Sequence, residues 1–127
     1  MKGRVFPLAL SVALIAALAS GSALAAGDAK KGKKIFNKCK ACHSIKEGKN
    51  KIGPSLYGII GRASASIEGY KYSKAMKASG ITWNEKTLSE FLTKPRAYVK
   101  GTKMGFPGLK KQKQRDDVIA YLKEAAQ

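Results

Sequence analysis

Both cysteines and the single histidine of this 127-residue chain lie in one short run, Cys39-Lys40-Ala41-Cys42-His43. Side chains of this kind ligate soft metals, shuttle disulfides or anchor a cofactor. A structural zinc site needs four protein ligands and a catalytic one usually three. Two Cys and one His would need carboxylates to complete the set, and zinc clusters rarely crowd Cys-x-x-Cys-His so tightly. A thioredoxin-type dithiol expects a βαβ context, which the sequence lacks. A plain structural disulfide is a further alternative. Cys-x-x-Cys-His is, however, the attachment sequence for c-type haem. Two thiols separated by two residues match the two vinyl groups on one side of a porphyrin, and the next residue can turn its imidazole onto the iron. The pattern therefore predicts one covalently bound haem c, held through Cys39 and Cys42 with His43 as the proximal ligand.

The elements that must position these residues begin after a distinct leader. Lys2 and Arg4 precede the apolar run "VFPLALSVALIAALA" and the small-residue tail "SGSALA". This is the layout of a secretory signal, with Ala23 and Ala25 in the small-x-small cleavage positions. Residues 1–25 are read as a cleaved signal peptide and 26–127 as one domain. The apolar run, broken by Pro7 and Ser11, falls short of the roughly 20 residues that span a bilayer. Export places the cysteines in an oxidising compartment, where thiols must be oxidised, ligated or capped. The remaining chain is short enough that its own core is marginal, burying about 60–68% of its unfolded surface. A covalent cofactor answers both constraints.

The charge is lopsided. The whole chain carries +17, and the leader holds two basic residues and no acids, so +15 remains after cleavage. That balance implies an acidic partner surface. Export, the preference for Lys over Arg and the lack of a nucleic-acid motif argue against DNA or RNA.

Helical patterns dominate the chain beyond the leader. Asp28 can cap a lysine-rich helix, "AKKGKKIFNKC", with Ile35 and Phe36 facing inward. Gly32, one turn before Phe36, would let another helix approach closely. From Ser44 to Tyr72 the chain is turn and loop, punctuated by Gly48, Gly53, Pro54, Gly58, Gly61 and Gly69. A short helix is expected over "SKAMKAS", ended by Gly80. Asn84 caps "EKTLSEFLTK", with Leu88, Phe91 and Leu92 at i, i+3 and i+4 and Pro95 as its stop. A final helix is expected from Gln114 to Ala125. Strand signals are weak throughout, so the class is all-α, with long loops and too little apolar material for an independent core.

With His43 used, the other face of the iron has Met76, Met104, a lysine or nothing. Met76 lies in a lysine-flanked helix, where a methionine commonly fills space. Met104 lies in "KGTKMGFPG", whose glycines and proline shape the backbone and suit a thioether held at fixed distance from a metal.

These stretches together resemble a class I cytochrome c, similar to small bacterial cytochromes c2 and mitochondrial cytochrome c. The resemblance is carried in order by "GKKIF", "CKACHSI", "GPSLYGIIGR", "GYKYS", "GITWNEKTLSEFL", "KPRAYVKGTKMGFPGLKK" and "DDVIAYLKEA". It implies an all-α fold of four to five short helices and long loops wrapped around one haem. It implies His43 and Met104 as axial ligands, with the Pro54 carbonyl accepting the free imidazole N–H. Arg62, Tyr72 and Trp83 are implied as hydrogen-bonding partners around the propionates. Gly32, Phe36, Tyr121 and Leu122 are implied at the crossing of the first and last helices, and Thr102 precedes the methionine as the family has it.

An iron with both faces held by protein disfavours substrate chemistry, and Met/His ligation raises the potential. The implied function is a periplasmic one-electron carrier between membrane redox complexes, for example cytochrome bc1 to a photosynthetic reaction centre or terminal oxidase. The chain would not be an enzyme. A haem peroxidase or gas-binding protein is the alternative should Met104 be displaced. Lys34, Lys38, Lys49, Lys51, Arg96, Lys103, Lys110 and Lys111 match family positions around the exposed haem edge and would meet acidic docking sites. Phe106 is placed at the same edge, and the carrier is expected to be a monomer. Two positions depart from the family: Phe91 stands where a tyrosine is frequent, and Met76 where an asparagine commonly joins a buried polar network. Both make the Met104 side less polar. The expectation is a positive potential with an altered alkaline transition. Redox and pH titrations beside a Phe91→Tyr variant check this; identical potential and alkaline behaviour would refute it.

Overall fold

The computed structural model describes residues 27–127, together with Gly3; the expected leader and its cleavage site otherwise lie outside the described residues. Five helices follow one another in the described residues: α1 (Ala29–Phe36), α2 (Lys74–Ala78), α3 (Glu85–Thr93), α4 (Pro95–Tyr98) and α5 (Gln112–Ala125). Among the described residues the only β pairing is an isolated antiparallel bridge between Ala63 and Thr82. The all-α expectation therefore holds.

Local chemistry sets most helix ends. The Asp28 carboxylate accepts from Lys31 N–H at the start of α1. Asn84 and Thr87 form a reciprocal capping box at α3, each side chain accepting from the other's backbone N–H at 2.9 Å. Such caps satisfy donors that have no partner inside the helix. Three boundaries differ from expectation. First, α1 stops at Phe36, because Cys39 and Lys40 N–H groups both bond to the Phe36 carbonyl and the chain enters tight turns. Second, Pro95 also opens α4, at the first helical position where its missing N–H costs nothing. Third, α5 begins at Gln112, two residues early.

The α1–α5 crossing frames the molecule. A Cβ on Gly32 would lie 1.9 Å from the Asp117 carbonyl oxygen and 2.9 Å from Tyr121 Cβ. The Phe36 and Tyr121 rings pack at 5.3 Å between centroids, and Leu122 is buried beside them. Asp117 adds a polar tie: its buried carboxylate accepts from Asp28 N–H at 2.7 Å and Lys113 Nζ at 2.6 Å. The Lys113 hydrogen bond is the main reason its acidity is strengthened.

The remaining helices surround a central space. Leu88, Phe91 and Leu92 form the buried face of α3. The chain from Asn37 to Ser73 has turns but no helix. It is fixed by bonds such as those in which Ser55 Oγ donates to the Lys46 carbonyl and Ser55 N–H donates to Asn50 Oδ1. No helix among the described residues is long and apolar enough to cross a membrane.

Candidate functional site

A cavity of about 590 Å³ occupies the centre of the molecule. Of the twelve buried core hydrophobics among the described residues, nine line it; Val99, Ile119 and Ala126 do not. The buried side chains therefore form a shell around this site.

Turns after α1 deliver the Cys-x-x-Cys-His run to one wall. Cys42 and His43 N–H groups both bond to the Cys39 carbonyl, at 3.1 and 2.9 Å, which coils the five residues into a compact unit. The segment from Gly53 to Leu56 folds back on it. Gly53 N–H donates to the Cys42 carbonyl at 2.7 Å, and Leu56 N–H to the Ser44 carbonyl at 2.8 Å. Between these bonds, His43 Nδ1 lies 2.7 Å from the Pro54 carbonyl oxygen. A carbonyl only accepts, so Nδ1 carries the proton and Nε2 keeps its lone pair. Burial, helped by the nearby Arg62 and Lys51 charges, pushes His43 below its ordinary pKa despite the Pro54 bond. The neutral imidazole is the ligating form.

One determinant here was not singled out in the sequence. Gly53 reads there as loop punctuation, but a Cβ on it would lie 2.4 Å from His43 Cε1 and within 2.8 Å of both ring nitrogens. Its backbone packs against the imidazole itself. Its position directly before Pro54 was the sole local clue, since no periodicity reports contact with a ring ten residues upstream.

A second wall comes from two strands of loop. Trp83 N–H bonds to the Arg62 carbonyl and Gly61 N–H to the Trp83 carbonyl, so Arg62 and Trp83 arrive side by side. Arg62 donates Nη1–H to the Tyr57 carbonyl at 2.8 Å, yet its buried Nε has no partner among the described residues. The Tyr72 hydroxyl accepts from Ile67 N–H at 3.1 Å, leaving its own proton to donate. All three side chains line the cavity. The remaining wall holds Met104, half-buried, with Thr102 Oγ1 accepting its N–H at 3.3 Å. Met76, Phe91 and Phe106 line the same space, and the Phe91 ring lies 5.1 Å from that of Trp83.

The predicted site residues thus converge: Cys39, Cys42, His43, Pro54, Arg62, Tyr72, Trp83 and Met104 all line one cavity. Of the predicted docking residues, all eight are exposed, and Lys38 and Lys103 line the cavity's rim beside the exposed Ile52.

The "Cytochrome c" family model matches residues 29–126. The chain belongs to the cytochrome c family. It is 53% identical over 104 residues to a cytochrome c of Gibberella zeae, covering 80% of this chain and 98% of that protein. It is 51% identical over 118 residues to cytochrome c-554 of Methylosinus trichosporium, covering 92% of this chain and 89% of that protein. Among solved structures, cytochrome cH from Methylobacterium extorquens superposes with a TM-score of 0.74 at 46% identity, covering 77% of this chain and 99% of that one.

Cytochromes c bind haem covalently, and this site fits the group. Paired thiols share a wall with a neutral imidazole that has one free nitrogen. Apolar walls suit the macrocycle, and the orphaned Arg62 Nε is a donor that a buried carboxylate would satisfy. As a member of this family the chain is an electron carrier and not an enzyme.

The contact between Gly53 and His43 predicts that Gly53→Ala destabilises the haem-loaded protein by about 1–3 kcal/mol. Guanidinium unfolding of the purified holoprotein measures this. An unchanged midpoint would mean that the imidazole has room to move.

Proposed function

We propose that this cytochrome c is an exported, periplasmic one-electron shuttle between membrane redox complexes, released by cleavage after Ala25. Cys39 and Cys42 would hold the haem through thioether bonds, and His43 and Met104 would ligate its iron. The observation that carries this reading is the convergence of these four side chains on one cavity, with His43 Nδ1 already committed to the Pro54 carbonyl. A donor in the direction of bc1 and an acceptor of the reaction-centre or terminal-oxidase kind fit the family equally well.

Haem c, when bound, supplies an iron that gains and loses one electron. The protein's part is to hold everything else still. The Pro54 carbonyl and the Gly53 backbone fix the His43 ring plane, so the imidazole need not reorient with charge. Arg62, Tyr72 and Trp83 are assigned to the propionates, where unpaired carboxylates in a buried setting would be costly. The walls formed by Phe91, Leu92, Val118 and Leu122 exclude water, which limits solvent reorganisation. Met104, were its thioether to ligate the iron, would favour the reduced state and leave no open site for peroxide or gases.

Docking is assigned to the lysines. Lys38 and Lys103 stand at the rim, and Lys34, Lys49, Lys51, Arg96, Lys110 and Lys111 are exposed. Their shared sign would orient the rim towards acidic surfaces and speed encounter. Such redox encounters bury little area and separate quickly, which suits turnover.

Optical spectra of the purified protein test the ligation. A low-spin c-type spectrum, a ferric methionine–iron charge-transfer band and no spectral shift with carbon monoxide are expected. Met104→Ala should abolish the band and admit carbon monoxide. A high-spin wild-type spectrum with ready carbon monoxide binding would sink the shuttle in favour of a peroxidase or gas-binding role. For docking, oxidation by the anionic probe ferricyanide should slow as ionic strength rises from about 10 mM to about 200 mM, where screening shortens from roughly 30 Å to under 10 Å. A Lys38→Glu/Lys103→Glu double variant should flatten that dependence. An unaltered salt profile would remove these two lysines from the docking face.

A further inference from the structure

Arg115 lies in the first turn of α5 and is buried, with 8% of its surface exposed. Both facts run against local preference. A cation in the first turn opposes the helix dipole, and a buried guanidinium ordinarily takes a carboxylate partner. No salt bridge to Arg115 occurs among the described residues. Its donors go elsewhere. Nε–H donates to Ser89 Oγ at 3.0 Å, and Nη1–H to the carbonyls of Leu109 and Lys110 at 2.7 and 2.9 Å. Nη2–H donates to Gln112 Oε1 at 2.6 Å. Two of these acceptors are backbone, so the side chain fixes the path of the main chain at Leu109–Lys110.

That path is the downstream end of the Met104 loop. Leu109 N–H donates to the Leu92 carbonyl at 2.7 Å, and a Cβ on Gly108 would lie 2.2 Å from the Thr93 carbonyl oxygen. At the upstream end, buried Val99 donates to the Pro95 carbonyl and accepts from Thr102 N–H. Met104 stands between these two anchors, and the guanidinium joins the downstream one to both α3 and α5.

We propose that Arg115 is a positioning residue for the sixth ligand: it braces the end of the Met104 loop so that the thioether stays in place at the cavity. This rests on the assignment of Met104 to the sixth position. Removing Arg115 frees the carbonyls of Leu109, which is buried, and Lys110, and loosens the loop, which raises the population in which Met104 has swung away. An outside ligand competes for the vacated position, so its apparent affinity reports that population.

The test is imidazole binding to the ferric holoprotein, followed by the charge-transfer band, with guanidinium unfolding run in parallel. Arg115→Ala should bind imidazole about tenfold more tightly and show a weakened band, the scale expected for losing buried hydrogen bonds to a charged group. Arg115→Lys, which keeps the charge but not the fork, should lie between it and wild type and stands in if the alanine variant does not fold. Ile119→Ala is the control, being buried on α5 but not lining the cavity. It should lower the unfolding midpoint and leave imidazole affinity unchanged. Wild-type imidazole affinity in the Arg115 variants would overturn the proposal, as would a shift in Ile119→Ala proportional to its lost stability. A wild-type protein without the charge-transfer band would instead overturn the Met104 assignment, and the proposal with it.

Discussion

The described residues are arranged as a shell around the site that receives the haem. Nine of the described buried hydrophobics line it, so the haem of this family supplies the apolar contacts that complete the core. The prosthetic group is thus as much a core residue as Phe36 or Leu122. Short helices and a long helix-free stretch are tolerable because each needs only to present one apolar face inward.

The α1–α5 crossing supports that arrangement from outside. Gly32 lets the two backbones meet, and Phe36 and Leu122 continue from the crossing into the cavity wall. The attachment run leaves α1 immediately after Phe36. An error in the crossing would therefore propagate directly to Cys39, Cys42 and His43. Asp117 ties the same junction through Asp28 N–H, so a single carboxylate helps to seat the helix that delivers the cysteines.

Polar groups near the cavity divide by what they hold. The Pro54 carbonyl holds one ring nitrogen and so decides which nitrogen remains available. Arg62 bonds to the Tyr57 carbonyl, and its buried Nε, without a partner among the described residues, is a donor that a buried carboxylate would satisfy. Arg115 is satisfied by backbone and side-chain oxygens and stabilises a loop. The two arginines have the same chemistry, and their surroundings separate their roles. Outside, lysines far outnumber carboxylates, which leaves a net positive charge free to act at a distance.

Much of this was legible in the chain itself. The spacing of Cys39, Cys42 and His43 specifies the cofactor, because two thiols and an imidazole must match fixed points on one macrocycle. Asp28 and Asn84 mark helix starts, because caps act within three residues, and the 3–4 spacing of Leu88, Phe91 and Leu92 marks a buried face. Where local rules compete, they mislead: Pro95 ends one helix and opens another, and α1 yields at Phe36 to the turns that coil the attachment run. The tertiary structure alone decided the rest. Gly53 against the His43 ring, the unpartnered Nε of Arg62, and Arg115 braced on Ser89, Leu109 and Lys110 all join atoms whose meeting depends on how distant segments pack. Sequence patterns record the periodicity of one element at a time. Which side chain lacks a partner, and which backbone touches a ring, exist only once the elements have closed around the cavity.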